Sequence, residues 1–96
     1  MAEYSRVATF EADAAGLEDL VNNIAAAGGA PPGVPGKRIT VLADRAAGKV
    51  VVAIRFGSEE DLQVGSATLD AMTPGDVGSM RRVSVEAYEV VHEEDA

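Results

Sequence analysis

The residue types able to bind a metal or move a proton fall in two short runs, His92-Glu93-Glu94-Asp95 and Glu59-Glu60-Asp61. Metal sites need ligands that converge from a preorganised frame. Four successive residues near the C-terminus do not converge, and that run reads as a solvated acidic tail. Carboxylates in the first turn of a helix complement the positive end of its dipole, so the second run reads as a helix start rather than an acid/base group. The glycine-rich stretch from Gly28 to Gly36 invites comparison with the phosphate loop G-x-x-x-x-G-K-[ST]. That motif needs Gly where Pro31 stands, Ser or Thr where Arg38 stands, and a helix afterwards. The stretch is a connector. Lys37-Arg38 and Arg81-Arg82 would make a small anion site if the fold joined them at strand ends, but paired cations on strands are ordinarily solvated. Asn22-Asn23 reads as solvent-facing.

The more promising residues are large and mostly apolar. Phe56 at a strand end, Leu69 and Met72 on a helix and Tyr88 on the last strand can line a pocket between a sheet and the second helix. Tyr88 or Arg6 would supply its polar contact. The competing use of the same residues, at strand and helix spacing, is simply to fill a core.

Positioning such a pocket requires two helices over a sheet, and the pattern provides them. Tyr4 to Ala12 has strand character, with Val7, Thr9 and Phe10. Asp13 then caps a helix predicted over Ala14 to Ala27, whose stripe is Leu17, Leu20, Val21, Ile24 and Ala25, and Gly28-Gly29 ends it. Two strand-like runs, Ile39 to Ala43 and Lys49 to Phe56, flank the turn Asp44-Arg45-Ala46-Ala47-Gly48 as a hairpin. Ser58, with Asp61 three residues on, opens a second helix carrying Leu62, Ser66, Leu69 and Met72 on its inner side and stopped by Pro74-Gly75. Gly65 within it costs about 1 kcal/mol relative to Ala, which points to a close backbone approach or a soft spot. Arg82 to Val91 is the last strand. The order β-α-β-β-α-β predicts a single ferredoxin-like α+β domain over residues 1–96, with a four-stranded antiparallel sheet.

Composition narrows the function classes. The chain has 96 residues, 16 acidic against 8 basic, and a net charge of -8, which repels nucleic-acid phosphate and anionic lipid. It has no cysteine, so disulfides, thiolate catalysis and Cys-ligated metal are excluded. No apolar run approaches a membrane span and the first residues lack signal-peptide character, which together with the absent cysteines leads us to expect a cytoplasmic protein. Val50 to Ile54 is apolar on both faces, and the preceding strand sets Ile39, Val41 and Ala43 against Thr40 and Leu42. Two helices cover one face of such a sheet, so the other needs cover too. A homodimer packing sheet against sheet with two-fold symmetry meets that need.

The runs Val41 to Lys49, Ile54 to Leu62 and Arg82 to Val90 resemble the antibiotic biosynthesis monooxygenase group of dimeric α+β barrels. The most specific piece is Asp-Arg-x-x-Gly, then a strand ending in an aromatic residue, then Ser-Glu-Glu. The resemblance implies a homodimeric barrel and, in active members, oxidation of a polyaromatic substrate by O2 without metal, flavin or other cofactor. Members usually end the third strand with Trp, where this chain has Phe56. The haem-degrading branch uses an Asn on the first strand and a His on the second helix, and this chain has neither. Two functions follow as expectations: a protein that binds a small apolar or aromatic molecule, catalytic or not, or a non-catalytic dimeric accessory protein with a filled core.

Overall fold

The computed structural model describes residues 2–29, 32–72, 76–77 and 80–96; the side chains of residues 72, 76 and 77 lie outside the description. In chain order the elements are β1 Glu3–Ala12, α1 Ala14–Ala27, β2 Gly36–Asp44, β3 Lys49–Phe56, α2 Glu59–Met72, β4 Asp76–Val77 and β5 Met80–Val90. The four long strands form an antiparallel sheet in the order β2-β3-β1-β5, the ferredoxin-like arrangement expected from the sequence. The two-residue β4, unanticipated in the sequence, pairs with the start of β5 and extends that edge. β2 and β5 also begin earlier than their hydrophobic runs, because ladder hydrogen bonds continue through Gly36 to Arg38 and Met80 to Arg81.

Local chemistry sets the element ends. Asp13 Oδ1 accepts the Gly16 N–H at 2.8 Å, capping α1, and Gly28 closes that helix in the left-handed region at φ 77°. Ser58 Oγ accepts the Asp61 N–H at 3.1 Å at the head of α2. In the hairpin, Asp44 Oδ1 takes the Ala47 N–H at 3.1 Å, holding the turn that hands the chain to Gly48 at φ 65°.

Side chains alternate across the sheet. Arg6, Ala8 and Phe10 of β1 and Val50, Ile54 and Phe56 of β3 are buried beneath the helices. Their odd-numbered neighbours face the other way. The apolar interior divides in two: Ala8, Phe10, Leu17, Val50 and Met80 pack together under α1, and Val34, Ile54, Phe56 and Leu62 under α2. Val52 touches both groups. Val34 comes from the proline-studded connector, which docks on α2 through the Thr68 hydroxyl, donating to the Gly33 carbonyl at 3.1 Å. None of the helices among the described residues is long and apolar enough to cross a membrane.

Phe56 has no exposed surface, and its ring lies against the backbone of Gly65. A Cβ at Gly65 would stand 2.7 Å from Phe56 Cζ and closer still to Cε1. The glycine in mid-helix therefore serves a close approach. Gly65→Ala gains about 1 kcal/mol of helix propensity but overpacks a ring with nowhere to move, at a cost of about 1 to 3 kcal/mol. We expect the clash to prevail, with a lower midpoint in urea denaturation, and the double variant Gly65→Ala/Phe56→Leu to recover part of the loss because the two sites touch.

Candidate functional site

A cavity of about 310 Å3 opens between the two helices and the sheet, at the seam between the two apolar clusters. Its floor is the inner face of β1 and β3, from Arg6, Ala8 and Phe10 to Val52 and Ile54. One wall is α1, where Leu20, Ile24 and Ala27 recur at helical spacing. These continue the stripe that begins at buried Leu17, but Leu20 and Ile24 are only half-buried. The helix lies over the sheet without filling the space beneath its C-terminal half. Leu69 of α2 closes the opposite side, and Met80 and Arg82 close the β5 end.

Polarity on the described lining of this apolar space comes from Arg6, Arg82 and, on α1, Asn23. The Arg6 side chain is 6% exposed and its Nη2 donates to Asp70 Oδ1 at 2.8 Å. Arg82 Nη1 donates to the same oxygen at 3.0 Å. Asp70, on α2 next to Leu69, is itself about half exposed. Arg6 Nε is buried with no hydrogen-bond partner.

Of the residues singled out in the sequence, Arg6 and Leu69 border the cavity. Phe56 does not; it lies within the packed cluster under α2. The side chain of Met72 falls outside the described residues. Tyr88 pairs with Ser5 on the opposite face of the sheet, half exposed, with its hydroxyl on Glu86. That hydrogen bond, followed by partial burial, raises the Tyr88 hydroxyl above its ordinary pKa. A bulge puts it there. Phe10 pairs with Arg82 and Thr9 with Ser84, so Val83 is an extra residue and every β5 side chain beyond it changes face. Arg82 and Met80, before the bulge, stay on the cavity side.

The two basic pairs lie on strands that β3 and β1 separate, and do not meet. Lys37 bonds to Glu3, and Arg81 to Glu11. His92 Nε2 lies 2.6 Å from Glu94 Oε1 in the exposed tail, and no group of metal-binding side chains converges among the described residues. A second cleft of about 430 Å3 lies beside the hairpin turn and the start of α1, lined by Asp44 to Gly48 and Ala12 to Ala14. It contains no buried charge. The chain matches no family model, no curated protein and no solved structure. Asn23, read from the sequence as solvent-facing, is exposed but also borders the cavity, and Arg82 was weighed only as half of an anion site with Lys37-Arg38. The cavity residues that sequence reading missed, among them Leu20, Ile24 and Met80, are ordinary core types at ordinary spacing. Only the gap between helices and sheet distinguishes them.

Two experiments follow. Phe56→Ala empties a fully buried site and should cost about 3 to 5 kcal/mol of folding stability, read from a denaturant melt. At the far end of β3, Arg55 bonds to Glu3 at 3.0 Å and to Glu93. Hydrogen bonds from Lys37 and Arg55 lower the Glu3 pKa below its ordinary 4.5, and the bond from Arg55 lowers that of Glu93. Depressed carboxylate pKa values stabilise the fold above the ordinary range, and that stability is lost as pH falls through the folded values. Glu93 is exposed and Glu3 partly so, so the effect is small. Urea midpoints from pH 7 to pH 3 should fall less steeply for Arg55→Met than for wild type.

Proposed function

We propose that the protein binds a small apolar or aromatic molecule in the cavity between the sheet and its two helices, and that it does so as a homodimer. The observation that carries the reading is the seam itself, where Leu20, Ile24 and Leu69 turn toward one space that the chain's own side chains leave open. Its volume of about 310 Å3 is at the lower end of the range of small-molecule pockets, and such pockets are mostly apolar with a few placed polar groups. The sheet's outer face supports the second half of the proposal. Val7, Val51 and Ala53 are only half-covered there, and Leu42 is 55% exposed. A second copy packed sheet to sheet would cover them together and also add to the stability of a small domain.

The β-α-β-β-α-β order is consistent with the resemblance to the antibiotic biosynthesis monooxygenase group. Oxygenation of the bound molecule by O2, without metal or flavin, is the catalytic form of this proposal. The filled cluster around Phe56 favours the second reading, an accessory dimer, for the half of the core under α2. The seam favours binding.

Sedimentation at micromolar concentration should give a dimer, and Leu42→Glu should shift it to monomer without loss of secondary structure by circular dichroism. A stable wild-type monomer rules the dimer out. Titration with 2-naphthol, followed by its fluorescence, should saturate; Ala27→Phe, which fills the cavity from a helix position that is exposed, should weaken binding at least tenfold. Equal binding by wild type and Ala27→Phe would place the ligand elsewhere.

A further inference from the structure

The cavity carries an excess of positive charge. Among the described residues, the ionisable ones on its lining are Arg6 and Arg82, and no carboxylate is among them. Both guanidiniums draw on one oxygen, Asp70 Oδ1, from a residue about half exposed to water. Among the described residues, one carboxylate therefore answers two cations, and the more deeply buried of them keeps an Nε–H with no partner. A buried charge is costly unless it is paired and its hydrogen-bonding groups are satisfied. In a binding site, the same deficit becomes affinity for the missing anion.

From this we infer that the cavity selects an apolar carboxylate, an aromatic or aliphatic body carrying a single acidic group that completes the Arg6–Asp70–Arg82 cluster. The inference rests on the apolar-pocket reading above and narrows its ligand. The acid lies toward the β5 end, where Arg6 and Arg82 meet at Asp70; on binding, the Arg6 guanidinium turns its Nε–H, which water does not otherwise reach, toward the acid as a charge-assisted hydrogen bond while Nη2 keeps Asp70. The apolar body extends along Leu20 and Ile24 toward Ala27. At the roughly 30 Å3 that a water molecule occupies in the liquid, the space holds on the order of ten heavy atoms. The space is also open to solvent, so it suits a monocyclic aromatic acid, or a bicyclic acid or medium-chain fatty acid whose far end extends past Ala27. The net charge of -8 is no obstacle, because the local field at the cavity is set by its two arginines.

The probes are naphthalene-1-carboxylate and its neutral, nearly isosteric amide, titrated calorimetrically at pH 7 into wild type, Arg6→Met and Arg82→Met. Wild type should bind the carboxylate at least tenfold more tightly than the amide. Arg6→Met should abolish the preference and keep the amide affinity within threefold, and Arg82→Met should reduce the preference at least threefold. The 15N–1H signal of Arg6 Nε in wild type should move on addition of the carboxylate and stay in place with the amide, a readout that needs no variant to fold. Equal affinity for the two probes on wild type overturns the anion site and leaves the apolar pocket standing. Binding of neither probe at millimolar concentration overturns the pocket itself. A preference unchanged in either folded variant, or an Arg6 Nε signal indifferent to the carboxylate, overturns the role assigned to the arginines.

Discussion

A guanidinium held inside an apolar interior by a single shared carboxylate is the constraint around which this fold is arranged. Arg6 sits on the inner face of β1, the strand with long neighbours on both sides, where an apolar residue would be the ordinary choice. Its charge has to be met from above. Asp70 on α2 reaches down to it, and Arg82 on the neighbouring strand reaches the same oxygen. Helix, central strand and its neighbour β5 are thereby tied at one point, with a polar cluster occupying a place that could otherwise close by apolar packing.

The packing around that point splits accordingly. Under α1 the core is made by Phe10, Leu17, Val50 and Met80, and under α2 by Ile54, Phe56 and Leu62, with Val34 wedged in from the connector. Each half is close-packed in its own way, the second tightly enough that Gly65 cannot carry a side chain. Between them the helices diverge from full coverage of the sheet, and Leu20 and Ile24 are left facing open space. A chain rich in Ala and Val, with only 4% aromatic residues, has few side chains large enough to fill such a gap. The cavity follows from that shortage of bulk, and its polarity from buried Arg6 together with Arg82.

The two faces of the sheet are also distinguished by charge. The outer face combines half-covered Val7, Val51 and Ala53 with an ionic margin in which Arg55 joins Glu3 near the start of β1 to Glu93 in the tail. Apolar centre and charged edge are the usual anatomy of a protein interface. The inner face instead buries its cation within.

The order of the two helices and four long strands, both helix caps and the hairpin were legible in the sequence, because each depends on residues within a few positions of one another; Gly65 was legible as a close approach or a soft spot, and the Phe56 ring decided between them. Asp13 caps the helix beginning one residue later, and Gly48 turns a hairpin whose strands adjoin it. The ferredoxin-like arrangement follows from that order. The site was legible only in part. Arg6 and Leu69 could be named, but the partner of Arg6 is 64 residues away, and Asp70 in the sequence is one more acid on an amphipathic helix. Tyr88 is a pocket candidate by its type and its place on the last strand, and a single extra residue at Val83, set by how β5 pairs with β1, turns it to the other face. Phe56 has the type of a pocket residue, yet the helix axis places backbone against its ring. Alternation and spacing are local properties of the chain. Register shifts, the gap between two helices and the sharing of one carboxylate by two arginines are properties of surfaces brought together, and only the tertiary structure decides them.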